Sequence, residues 1–307
     1  MDKNNRKNLL HAGIRRYRTN FVFWLAVAAS VVAGIYGGYY CRVSHVGDLD
    51  MPALIEFFIF AVLIAWIIGR EYEDGGFHNK VIAGYTRSEI YGSELLLAIL
   101  ACTVLFLIHA VVFSCLNLYT FSVITPGVFF GFFFGFLLAN LAMVALFVVL
   151  AFFLRNRFAI IAVLILMVYG LYFIGYETVD AVDSEQYILD YDYELFEDDY
   201  GNIIETYIEG TEHMVENPRY IGGPRRTAYE ILSAVNPCGH VIYYSWMTYG
   251  LYGKYMKGWT QHDSWENFTK EFVYDGSAVA VGCACAAAVF AALSAAGLPC
   301  FRKRELR

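Results

Sequence analysis

Six stretches of the chain are almost unbroken apolar sequence: Phe21–Tyr40, Met51–Gly69, Leu95–Leu118, Val128–Leu154, Phe158–Tyr176 and Ser277–Leu298. Each supplies the roughly 20 apolar residues that span about 30 Å of hydrocarbon. Backbone polar groups in lipid must be satisfied internally, and these runs are continuous rather than alternating, so the pattern predicts helices and not a β-barrel. Ahead of the first span, Leu10, Ile14, Tyr17 and Phe21 recur at helical spacing with Arg15, Arg16 and Arg18 off the stripe. That spacing predicts a basic amphipathic helix on the cytoplasmic leaflet, the alternative being charge that only sets topology. The first span is too long for a signal-peptide core, and no small-residue cleavage site follows it.

Short polar breaks separate the spans except at 177–276. There, Tyr187–Phe196 and Ile203–Ile208 flank Asp199-Tyr200-Gly201-Asn202 and predict a hairpin. Arg226–Val235 places Ala228, Ile231, Leu232 and Val235 on one helical face. Tyr243, Tyr244, Trp246, Tyr249, Tyr252 and Tyr255 follow, an aromatic run expected on the outer membrane surface. The expected fold class is thus an all-α integral membrane protein. A cytoplasmic amphipathic helix occupies 1–20, the first five of six transmembrane helices 21–176, a small α+β extracellular domain 177–276, the sixth helix 277–298 and a basic cytoplasmic tail 299–307.

Composition strengthens this expectation, with 58% hydrophobic residues, 17% charged and a mean hydropathy of +0.48. Soluble domains carry about 45–50% apolar and about 25% charged residues. Charge adds the orientation. Lys3, Arg6, Lys7, Arg15, Arg16, Arg18, then Arg70, Lys80, Arg87, then Arg155, Arg157, and finally Arg302, Lys303, Arg304 and Arg307 all fall on one side of six crossings. Both termini are therefore expected in the cytoplasm, with the chain in the cell membrane. The loop 177–276 holds 19 acidic and six basic residues, a charge of −13 within a total of −7. Such a field either recruits cationic ligands or only keeps the domain soluble.

The sequence carries no recognisable catalytic centre. It has no H-E-x-x-H, no G-x-x-x-x-G-K-[ST], no metal-ligand spacing among its seven cysteines and no nucleic-acid module. Cys102, Cys115, Cys283 and Cys285 fall inside spans as apolar packers, and His109 is expected to be a satisfied core histidine. Cys41 and Cys238 alone are placed outside, which leaves one disulfide open. Glu56, with Asn140 as a polar companion, is the clearest intramembrane ionisable residue and a candidate for a substrate path. It could equally sit solvated near the outer end of its span.

One cytoplasmic segment, 70–93, has more structure in its sequence. Asp74 is expected to cap a short helix that Gly84 ends, with Phe77, Val81 and Tyr85 on one face. Thr86 and Glu89 have capping-box spacing for the next helix. A short amphipathic helix between two spans can carry force from a cytoplasmic partner; an ordinary connecting turn is the alternative.

The same segment resembles the type-2 ABC transporter permeases. The resemblance rests on Glu71-Tyr72, Gly75, Asn79-Lys80, Gly84, Thr86-Arg87 and Ile90-Tyr91, and on Asn236-Pro237 with Gly239 before the last span. The sequence departs from that family's pattern at Gly76, where Thr is common, and in its large acidic domain. The resemblance implies a non-enzymatic exporter half that pairs with a second permease, as a homo- or heterodimer in membrane lipid. It implies a separate ABC ATP-binding subunit that holds ATP and Mg, so the chain would carry no cofactor of its own. Glu71 to Ile90, including Phe77 and Val81, would be the ATPase-coupling segment, and the N-terminal helix the connecting helix. Two expectations from other classes are a membrane-anchored sensor or adaptor with a ligand-binding ectodomain, and an intramembrane enzyme, for which one carboxylate is no dyad.

Overall fold

The computed structural model describes residues 3–44, 50–117, 125–154, 156–197, 203–208, 211–255 and 276–302. Helices α1 (Lys3–Thr19) and α2 (Phe21–Ser44) meet at Asn20, whose side-chain oxygen accepts from the Val22 N–H at 2.9 Å. Then come α3 (Asp50–Glu73), the short α4 (Gly76–Ile82), α5 (Arg87–Leu116), α6 (Pro126–Phe153) and α7 (Arg157–Asp183). Four short strands follow, β1 (Tyr187–Asp190), β2 (Tyr193–Glu197), β3 (Ile203–Tyr207) and β4 (His213–Glu216). Helices α8 (Gly223–Val235), α9 (Pro237–Tyr255) and α10 (Gly276–Arg302) complete the chain.

Six of these helices, α2, α3, α5, α6, α7 and α10, are long and apolar enough to cross a membrane, as suits an all-α multi-pass membrane protein. Several run past the apolar stretches that announce them, because capping groups set the ends. Helix α5 starts at Arg87, eight residues before Leu95, where Thr86 and Glu89 exchange both bonds of a capping box. Helix α7 starts where the Asn156 side chain accepts from the N–H groups of Phe158 and Ala159, and it continues to Asp183. In the bundle α2 lies against α5, α3 against α7, and α6 along α10.

Two expectations about 177–276 change. The first strand run is two strands rather than one: β2 pairs antiparallel with β3 (Tyr193 opposite Tyr207), and β1 pairs separately with β4 (Tyr187 opposite Glu216). The expected turn at 199–202 lies outside the described residues. The aromatic run is not a surface layer over its described part. It belongs to α9, which packs against α7 and α6 and buries Cys238, Val241, Ile242, Tyr244 and Met247. The reason is close approach at glycines. A Cβ at Gly175 of α7 would stand 2.9 Å from the Gly239 nitrogen, and one at Gly135 of α6 would stand 2.6 Å from the Tyr244 ring. Asn236 fixes the start of α9 by donating to the Leu171 carbonyl at 2.7 Å and accepting from the Cys238 N–H at 3.0 Å. The side chains of Tyr249, Tyr252 and Tyr255 lie outside the described residues. Cys41 and Cys238 are both buried and neither is in a disulfide, so the open pairing does not form.

Candidate functional site

Two places gather the sequence's candidate residues, at opposite ends of the bundle. The first surrounds α4. Asp74 does not cap this helix; it pairs instead with Arg70 at 3.0 Å. The N-cap is Gly75, whose φ of 69° lies in the left-handed region that glycine enters without steric cost. At the other end Gly84, at φ 89°, closes a Schellman motif in which Tyr85 N–H donates to the Lys80 carbonyl at 3.1 Å and Gly84 N–H to the Val81 carbonyl at 3.0 Å. Seven residues are thus stopped firmly at both ends, and Thr86 begins α5 immediately afterwards.

Beneath α4 lies a closed set of four charges. Glu71 of α3 and Glu94 of α5 each pair with both Arg16 of α1 and Lys80 of α4. Lys80 Nζ stands 2.7 Å from Glu71 Oε2 and 2.8 Å from Glu94 Oε1. The Glu94 side chain is only 2% exposed, so its charge depends on these two cations. Burial disfavours a charged Arg16, yet Glu94 and Glu71 outweigh it and raise the guanidinium above its ordinary range. A Cβ at Gly76 would run into the Glu71 carboxylate. That contact gives a physical reason for glycine at the position where the resemblance leads one to expect Thr.

Next to the charges is an aromatic knot. Phe77 lies 4.7 Å from Tyr72, 5.3 Å from Phe152 and 6.1 Å from Phe301 between ring centroids, while Phe152 lies 4.6 Å from Phe301 and 5.3 Å from Tyr91. Tyr72 donates to the Phe152 carbonyl at 3.1 Å and Tyr91 to the Ser294 carbonyl at 3.2 Å. Lys80 Nζ sits 5.0 Å above the Phe77 ring and joins the two sets. Glu73 pairs with Arg157 at 3.2 Å, which brings in the start of α7. Together these contacts tie α1, α3, α4, α5, α6, α7 and α10 at one end of the bundle.

The geometry redistributes the expected coupling residues. Phe77 is 1% exposed and faces inward, so it is not part of an outward docking face. Asn79, Val81, Gly84 and Thr86 are exposed, Tyr85 and Arg87 are half-buried, and Ile82, 71% exposed, is the most prominent apolar side chain of α4. The stripe of α1 shifts too. Among its described side chains Leu9, Gly13 and Tyr17 are buried, with Gly13 against Leu97, whereas Ile14 and Phe21 are exposed. Sequence reasoning passed over Arg16 as generic positive charge, and over Glu94 because it sits one residue before an apolar run. Its signal was an acidic residue in helical phase with Ile90, Tyr91, Leu97 and Ala98, all of which are buried.

The second place is a cavity of about 100 Å³ between α3, α5 and α6. Glu56 and Asn140 both line it, 2% and 3% exposed, so Glu56 is not at a solvated helix end. The sequence did not join His109 to them. Its Nδ1 stands 3.5 Å from Glu56 Oε2 and has no hydrogen-bond partner among the described residues, so it is not a satisfied core histidine. Comparison with protein-family models, with curated proteins and with solved structures finds no match for the chain.

Proposed function

We propose that the chain is the membrane-spanning permease subunit of an ABC exporter, driven by ATP hydrolysed on a separate ATP-binding subunit. The observation that carries this reading is the mounting of α4. Its inner side is fixed by four paired charges and an aromatic knot, while Val81 and Ile82 present apolar surface on its outer side. Exposed apolar side chains on a rigid, capped projection suit a protein contact. A push on α4 would pass directly to α1, α3 and α5 through the charges, and to α6 and α10 through the rings. Under this reading the α4 end faces the cytoplasm with both termini, the partner holds ATP and Mg, and a second permease completes the membrane unit. The exported class is peptide, lipid-like or drug-like, outward across the cell membrane.

Co-expression with candidate ABC ATP-binding subunits from the same genome, followed by reconstitution, provides the test. The expected result is a stable complex whose hydrolysis responds to the permease. A chain that binds no ATPase, while its 177–276 segment binds a ligand, would support the sensor or adaptor instead. Single-cysteine labelling checks the orientation separately. Position Ser184 should react from outside and position Ser88 only after permeabilisation; the reverse pattern would remove the exporter reading.

A further inference from the structure

The Glu56 cavity has an unusual polar balance. Its lining includes six phenylalanines, Phe106, Phe113, Phe129, Phe132, Phe133 and Phe136, around very few polar groups. Glu56 Oε1 has no hydrogen-bond partner among the described residues. The Asn140 amide nitrogen donates to the Phe136 carbonyl at 2.8 Å, which fixes the amide and leaves Oδ1, also unpartnered, as its free end. Two buried acceptors therefore lack donors in a chamber lined mainly by phenylalanines, with His109 and Ser114 as its other polar residues.

A buried carboxylate without a fixed counter-charge is neutralised by a proton or by a bound cation. The His109 ring stands beside the other carboxylate oxygen and leaves Oε1 without a donor. A bare Ca²⁺ or Mg²⁺ ion needs about six or more oxygen ligands, and Zn²⁺ about four nitrogen, oxygen or sulfur ligands. No group of three or more His, Cys, Asp or Glu among the described residues could hold one. A ring-lined chamber with one carboxylate suits a cation that carries its own apolar surface, since aromatic faces attract such cations, most strongly where water is excluded. We propose that this cavity is a binding site for a small organic ammonium ion, with Glu56 as counter-charge, Asn140 Oδ1 as second acceptor and the phenylalanines as its walls. The site deepens the exporter reading, on which its role as a station for an exported substrate rests, by naming the substrate class.

The test uses the purified full chain without any ATPase, so its outcome is independent of the coupling experiments. The probe is tetramethylammonium, the smallest quaternary ammonium ion, whose charge is permanent. Its neutral isostere neopentane has the same shape without the charge. Equilibrium dialysis of labelled tetramethylammonium against the wild-type chain should give saturable binding that Glu56→Gln weakens at least tenfold. The thermal shift produced by buffer equilibrated with neopentane should change less than twofold, which reports that the chamber is intact. Should Glu56→Gln lose both ligands, Asn140→Leu decides. That variant keeps the carboxylate, and it should weaken the cation about threefold while sparing the isostere. No saturable binding to wild type, equal affinity for the cation in Glu56→Gln, or equal losses of both ligands in Asn140→Leu would each overturn the site.

Discussion

Glu94 and Glu56 are both glutamates on helices apolar enough to cross a membrane, with side chains 2% and 3% exposed. Their surroundings differ. Glu94 meets Arg16 and Lys80, whereas among the described residues Glu56 meets no fixed cation: the His109 ring stands 3.5 Å from one oxygen, and the other has no hydrogen-bond partner. The aromatic residues differ in the same way. Around Phe77 the rings touch one another and close the space; around Glu56 they line a void. Satisfied charge and packed rings make a rigid block, fit to transmit displacement. Unsatisfied acceptors and an open chamber keep a site whose missing partner comes from elsewhere. In the exporter reading the first region is the lever and the second is the load.

The largest effect separating the two regions is expected at Phe77. Phe77→Ala should destabilise the chain by about 3–5 kcal/mol, as truncation of a fully buried aromatic does. Thermal unfolding in detergent would show it, and a loss below about 1 kcal/mol would mean that the knot does not hold α4. A similar size is expected at Glu94. Glu94→Gln strands part of the charge of Arg16 and Lys80, which for a buried pair costs about 3–5 kcal/mol. The neutral double variant Lys80→Met with Glu94→Leu should recover part of that loss. Strict additivity of the two substitutions would show that the charges act separately.

Glu56 should behave in the opposite sense. Replacing it with Met removes an unsatisfied buried acceptor and should stabilise the resting chain by about 1–3 kcal/mol. A destabilisation comparable to that of Glu94→Gln would mean that Glu56 has structural partners after all, and the contrast between the two glutamates would fall. The smallest change is expected on the outer side of α4. Ile82→Ala should shift stability by no more than about 0.5 kcal/mol, because the side chain touches mostly solvent.

What the sequence could convey follows from the range of each interaction. The spans were legible because an apolar run is a local signal, and the Thr86–Glu89 box because its two bonds lie within one turn. Gly75 and Gly84 were legible as punctuation of α4, although the expected Asp74 cap gave way to a left-handed Gly75. The pairing of Glu94 was not legible, since Arg16 is 78 residues away and Lys80 is 14. Helical spacing put Phe77 and Val81 on one face but could not say which neighbour would claim it. The structure resolves that face into a buried Phe77 and an exposed Val81, with Ile82 beyond. The α9 aromatics were read as interfacial because Tyr and Trp favour that zone. The burial of Tyr244 depends on close approach of α9 at Gly135 and Gly175, which only the assembled helices reveal.

In the exporter reading the outer side of α4 contacts an ATPase while its inner side belongs to the core. The direct measurement is co-purification of the ATP-binding subunit with the double variant Val81→Asp and Ile82→Asp. Unfolding of the variant is monitored in parallel, to separate docking from folding. The expected variant inserts and unfolds like wild type but loses the ATPase or uncouples its hydrolysis from transport. A variant of wild-type stability that retains the ATPase and transports at the wild-type rate would contradict it.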